Sequence, residues 1–175
     1  MQDNNYTKRL VIAGLLLAIG IVIPTIFHTA GIAGNVFLPM HIPVLIGGFL
    51  LPAHLALLLG MVTPLINSLI TGMPPLFPMA TIMVFELGFY GLMASVLYRN
   101  IKLPPILSLI ISMVVGRLMA GITVFVLAAF FGVKLDPMTF IKGGIITGLP
   151  GIIIQLVFIP ILMHSIVRYT TIDLD

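Results

Sequence analysis

The chain has 175 residues, of which 60% are hydrophobic and only 7% charged, and its mean hydropathy is +1.26. A soluble domain carries about 25% charged residues, so these charges are too few to cover a water-facing surface, and a soluble globular domain is excluded. The net charge of +3 sits mostly at the ends of apolar runs, which reads as membrane topology and not as nucleic-acid binding. The absence of cysteine excludes disulfides, thiolate metal sites and cysteine nucleophiles.

A bilayer span takes roughly 20 apolar residues, and the sequence divides into six such runs. Span 1 covers about Arg9 to Ala30, with Pro24 as a kink. Lys8 and Arg9 precede it and no small-residue cleavage motif follows, so it reads as a retained span and not a signal peptide. After the Gly-rich stretch Gly31 to Asn35, span 2 is short, from Leu38 to Leu51, and Pro52 ends it. Span 3 runs from Ala53 to Thr71, and the turn Gly72-Met73-Pro74-Pro75 leads to span 4, Phe77 to Tyr98. Span 5 runs from Pro104 to Phe131 and span 6 from Phe140 to Ile166. The expectation is an all-α integral membrane protein: one six-helix transmembrane domain over 1–175, with short loops and no extramembrane lobe.

Loop cations set the orientation. Lys8 and Arg9 before span 1, Arg99 and Lys102 after span 4, and Arg168 after span 6 fall on one side, so both termini are expected to be cytoplasmic. Lys134 and Lys142 dissent on the outer side.

An ionisable residue inside a span needs a partner, a cavity or a function. Glu86 lies midway along span 4, on one helical face with Met83 and Tyr90. Arg117 lies midway along span 5, and Lys142 begins span 6 from the outer side. Glu86 and Arg117 read either as an ion pair joining two helices or as ligand groups, and the two readings can coexist. Thr63, Asn67 and Thr71 form a polar stripe on span 3, which serves interhelical hydrogen bonding or a site. His41 opens span 2, His28 and Asn35 lie in the first outer loop, and Gln155 reads as helix glue. His41, Asn67, Glu86, Arg117 and Lys142 come from five spans and fall at midplane or in the outer half. Such convergence, with Tyr90 adding a ring, suggests a cavity open to the outside. Its cations outnumber Glu86, which favours an anionic ligand, and its few rings favour a flexible one.

Gly14 and Ala18 form a small-xxx-small pair on span 1, with Ala13 adjacent; the pair packs inside the monomer or against a partner. No phosphate-binding loop is present, since Gly143-Gly144-Ile145-Ile146-Thr147-Gly148 lacks the Lys-Ser/Thr ending. The chain therefore has no recognisable means of hydrolysing ATP. No metal motif, paired intramembrane Asp, Ser–His pair or inverted repeat is visible, so neither cofactor nor metal is expected.

The run Phe37-Leu38-Pro39-Met40-His41-Ile42-Pro43-Val44-Leu45 resembles the substrate-binding (S) components of energy-coupling factor (ECF) vitamin transporters. So do Leu69-Ile70-Thr71-Gly72-Met73-Pro74-Pro75 and Phe85-Glu86-Leu87-Gly88-Phe89-Tyr90-Gly91. Within that family the chain looks most like the pantothenate-type branch. The resemblance implies a six-helix cell-membrane protein that captures a vitamin from outside and is not itself an enzyme. A transmembrane coupling (T) subunit and two ATP-binding-cassette ATPases would supply energy, and the S component would topple in the membrane to release its substrate inward. It also implies that Ala13, Gly14 and Ala18 contact the T subunit, although the pattern here is Gly-xxx-Ala where the family usually carries Ala. The loop from His28 to Met40 would gate the site. The substrate-binding residues expected are His41, Asn67, Glu86, Tyr90, Arg117 and Lys142. Competing readings are an S component for hydroxymethylpyrimidine, folate or thiamine, a small intramembrane enzyme, and a ligand-free scaffold.

Overall fold

In lipid every backbone polar group must be satisfied within the chain, so apolar runs of this kind become helices. A computed structural model describes residues 2–169, with side chains described over 5–166. The elements are α1 (Gln2–Thr29), α2 (Gly34–Phe37), α3 (His41–Leu50), α4 (Ala53–Thr71), α5 (Thr81–Ser95), α6 (Pro105–Phe131) and α7 (Pro137–Tyr169). The chain kinks at Phe77 in the turn Leu76–Ala80 that leads into α5, and a single π-helical turn, Val96–Asn100, extends α5 at its other end. Among the described residues there is no strand. The side chain of Arg168, one of the orienting cations, lies outside the described residues.

Local chemistry sets the element ends. Pro105 opens α6, where its missing N–H costs nothing. Gly72 and Gly132 end α4 and α6 in the left-handed conformation that a side chain disfavours. Asp136 accepts the Thr139 N–H at 2.7 Å at the start of α7, and that bond holds its carboxyl below the usual carboxylate range.

Five helices are long and apolar enough to cross a membrane: α1, α4, α5 with its flanking turns, α6 and α7. The predicted span 2 is different. Leu38, its expected first residue, is left-handed at φ 51°, and the helix starts at His41. The chain before it forms the short helix α2 where a plain loop is expected. Phe77, the expected start of span 4, is extended, and regular helix begins at Thr81. At 1.5 Å per residue α3 is about 15 Å long, half of the ~30 Å hydrocarbon layer. It runs from His41, beside Glu86 at mid-depth, to Leu50, whose carbonyl meets Arg99 at the far end. The other half of that column is left without a transmembrane helix.

Nine of the ten residues of α3 are buried, and it packs on α1, α4, α5 and α7. Phe49, Leu45, Leu51 and Leu87 fill the centre. The α4, α5 and α6 backbones approach closely because glycines face their neighbours. A Cβ on Gly60 would strike the Leu87 backbone, on Gly91 the Ala56 carbonyl, and on Gly116 the Tyr90 ring. The helices α1 and α7 are the most outward, with only 11% and 22% of their apolar windows buried, against 61% for α5. Their large exposed Leu, Ile, Val and Phe side chains suit a lipid face.

Candidate functional site

The unfilled half of the α3 column is a cavity of about 560 Å³, within the ~300–1,000 Å³ typical of small-molecule sites. Pro24 and His28 of α1 form one wall, and Thr71 with Met73, Pro74 and Pro75 forms the next. Met79, Met83 and Glu86 line it from the α5 side, Arg117 from α6, and Thr139, Phe140, Gly143, Gly144 and Thr147 from α7. The segment through α2, from Ile32 to Met40, lies across it, and His41 forms the floor.

One polar cluster sits at the bottom. Glu86 Oε1 accepts from Arg117 Nη1 at 2.8 Å and from the Tyr90 hydroxyl at 3.2 Å. His41 Nε2 lies 3.9 Å from the same oxygen, and its ring stacks at a tilt on Tyr90 with centroids 5.4 Å apart. Arg117 Nη2 donates to the Gly144 carbonyl at 3.3 Å. Gly144 faces this guanidinium so closely that a Cβ there would lie 2.7 Å from Nη1. The next glycines on that face of α7, Gly148 and Gly151, give room to Leu38 and to the Phe37 backbone, and so seat α2. Among the described residues, three buried nitrogens of the cluster have no hydrogen-bond partner: both ring nitrogens of His41, and Arg117 Nε. Buried donors and acceptors are costly to leave unmade, so a polar site facing a cavity with open valences is suited to a polar ligand.

The structure brings His41, Glu86 and Arg117 together on the cavity. Tyr90 stands beneath them, 2% exposed, and touches Glu86 but not the cavity surface. Asn67 is elsewhere. It is fully buried in the seam between α1 and α4, and its Nδ2 donates to the Gly20 and Thr63 carbonyls, each at 2.9 Å. Lys142 is exposed and outside the lining, so the expected excess of cations is not there: Glu86 and Arg117 balance. Gln155 is buried and donates to the Leu38 carbonyl at 3.4 Å, so it ties α7 to the segment between α2 and α3 and not to another span. Gly14 and Ala18 are exposed, and a Cβ on Gly14 would meet nothing within 4 Å, whereas Ala13 packs against the core. The pair therefore does not serve packing inside the monomer.

Several lining residues were not singled out from the sequence. Thr139, Gly143 and Thr147 recur at i, i+4 and i+8 on α7, the same signal that marked Thr63, Asn67 and Thr71. Met79 carries no such signal, since an apolar residue on a span has a lipid-facing alternative, whereas Met83 is on the Glu86 face already read from the spacing. Among the described residues no group of three or more His, Cys, Asp or Glu could hold a metal ion.

The fold and cavity define a multi-pass membrane protein with an internal polar site. The family model for the ECF transporter, substrate-specific component, matches residues 8–163, and the chain belongs to that family. No curated protein and no solved structure matches it. The family is a transport subunit of the cell membrane and not an enzyme. Its members bind a small-molecule substrate and associate with T and ATPase components.

Proposed function

We propose that the cavity above α3 is the capture site for a water-soluble vitamin with a flexible chain and an anionic group, with pantothenate as the first choice. Arg117 carries this reading. Its Nη1 is committed to Glu86, while Nε is buried beside the cavity with no partner among the described residues. Nε and Nη2 form the planar edge that suits a carboxylate. The N-terminus of α3 lies at the cavity floor and adds a favourable field for negative charge. His41 offers a hydrogen bond to a hydroxyl or amide, and the Met and Pro walls adapt to a flexible ligand better than to a flat one.

The cavity opens to the outside, with both termini cytoplasmic. Support comes from Lys8, Arg9, Arg99 and Lys102, which the element order puts at the opposite end of the bundle. Gly14 and Ala18, open on the outer surface of α1, offer a close-approach face for the T subunit. The T subunit and two ATP-binding-cassette ATPases supply the energy.

A second reading rests on the balance of Glu86 and Arg117 once Lys142 is outside. A balanced pair suits a neutral precursor such as a hydroxymethylpyrimidine, reading Glu86 and His41 together. A thermal-shift screen of vitamins on the purified chain decides between them. Pantothenate should raise the melting temperature of the wild type and leave Arg117→Gln unchanged. No shift with pantothenate and a clear one with the neutral pyrimidine would replace the first reading by the second.

A further inference from the structure

A proline inside a helix has no N–H to give the carbonyl four residues earlier. In α1 that proline is Pro24, and the carbonyl is that of Gly20. Deep in an apolar bundle an orphan carbonyl is costly. Asn67 of α4 supplies the missing donor: its Nδ2 lies 2.9 Å from Gly20 O. The second Nδ2 proton goes to Thr63 O, also at 2.9 Å. Flipping the amide would set Oδ1 against two carbonyl oxygens, so its orientation is fixed. Gly20 lets the helices meet there, since a Cβ would lie 2.9 Å from Thr63 Cγ2.

The position of this bond gives it a consequence. Pro24 and His28, at and beyond the break, form the α1 wall of the cavity, while Gly14 and Ala18 lie on the other side of it. We propose that Asn67 is a positioning residue: it replaces the hydrogen bond that Pro24 removes, and so fixes the angle at which the cavity-lining end of α1 stands over the site. The stripe Thr63, Asn67, Thr71 is then divided by role. Thr71 faces the cavity, and Asn67 holds the opposite wall without touching the ligand. This uses only the geometry of the cavity and is independent of which vitamin fills it.

The test is epistasis between Pro24 and Asn67. Pro24→Ala restores an N–H to the Gly20 carbonyl, so Asn67 should become dispensable in that background. The cysteine-free chain allows spin labels at Ile26→Cys and Leu69→Cys, both outward-facing and one on either side of the seam. In the otherwise wild-type protein in nanodiscs the inter-label distance distribution should be narrow. Asn67→Leu, similar in size but without donors, should broaden and shift it and lower the melting temperature by several degrees. Pro24→Ala with Asn67→Leu should return both toward those of Pro24→Ala alone. Equal damage from Asn67→Leu in the two backgrounds, or an unchanged distribution in the single variant, would overturn the proposal. Should Asn67→Leu alone not fold, recovery of a folded protein in the double variant supports it and failure to recover refutes it. A chain that binds no vitamin at all would still give a clear answer.

Discussion

The two ends of the bundle spend their polar groups differently. At the closed end, Ser95 Oγ donates to the Leu51 carbonyl at 2.7 Å and Arg99 Nη1 to the Leu50 carbonyl at 2.9 Å. Both serve the last turn of α3, whose carbonyls have no helical partner. At the open end, Arg117 and His41 retain buried nitrogens with no partner among the described residues, and these lie beside a cavity. The difference teaches that a partly buried cation is not a site by itself. Arg99, at the terminal turn after α5, completes a helix, whereas Arg117, midway along α6, has hydrogen-bonding capacity left over.

If the ends face opposite sides of the membrane, a thiol reagent should tell them apart completely. With an impermeant outside reagent, Met73→Cys should label in intact cells and Asn100→Cys should not. The reverse pattern would turn the cavity inward and break the comparison outright.

Within the open end, Arg117→Gln should lower ligand affinity tenfold to more than a hundredfold, as expected for the loss of about 1.5–3 kcal/mol of charge-assisted bonding. It also strands Glu86, at a cost of about 3–5 kcal/mol in stability. Adding Glu86→Gln should recover much of the melting temperature but not the binding. Recovery of both would leave the pair a purely structural one.

The closed end should behave in the opposite way. Ser95→Ala should cost about 1 kcal/mol of stability and leave ligand affinity unchanged in calorimetry. A loss of affinity there would mean that the two ends are coupled through α3. The smallest effect belongs to Lys142→Gln. Its exposed charge is screened, so affinity should move less than about twofold; a larger change would draw Lys142 into the site.

Much of this was legible in the sequence, for identifiable reasons. Apolar runs bounded by Pro, Gly and loop cations gave the long helices. Glu86 and Arg117 stood out because charge inside a span demands an explanation, and they do meet. The short α3 was visible as a short run, but the cavity it leaves was not, because length alone does not say which half is empty. Asn67 was grouped with the site by its depth. Periodicity reports the face of a helix and not its azimuth in the bundle, so a seam residue and a lining residue look alike. Lys142 was misplaced in the same way, as the long α7 turns it outward. Gly144, Gly148 and Gly151 could have marked the face of α7 that receives Arg117 and α2, had their spacing been read for packing.

The walls of the cavity carry a chemical liability. Met40, Met73, Met79 and Met83 all line it, and Met73 is 48% exposed at its rim. Oxidation turns a methionine thioether into a bulkier, polar sulfoxide. If the cavity opens outward, as proposed, peroxide from outside reaches its apolar lining before the cell interior. The chain has no cysteine, so its sulfur is all thioether, and Met138, outside the cavity lining, is exposed as well. Of the four lining thioethers Met73 is the most exposed, so it is the first in the cavity wall to change.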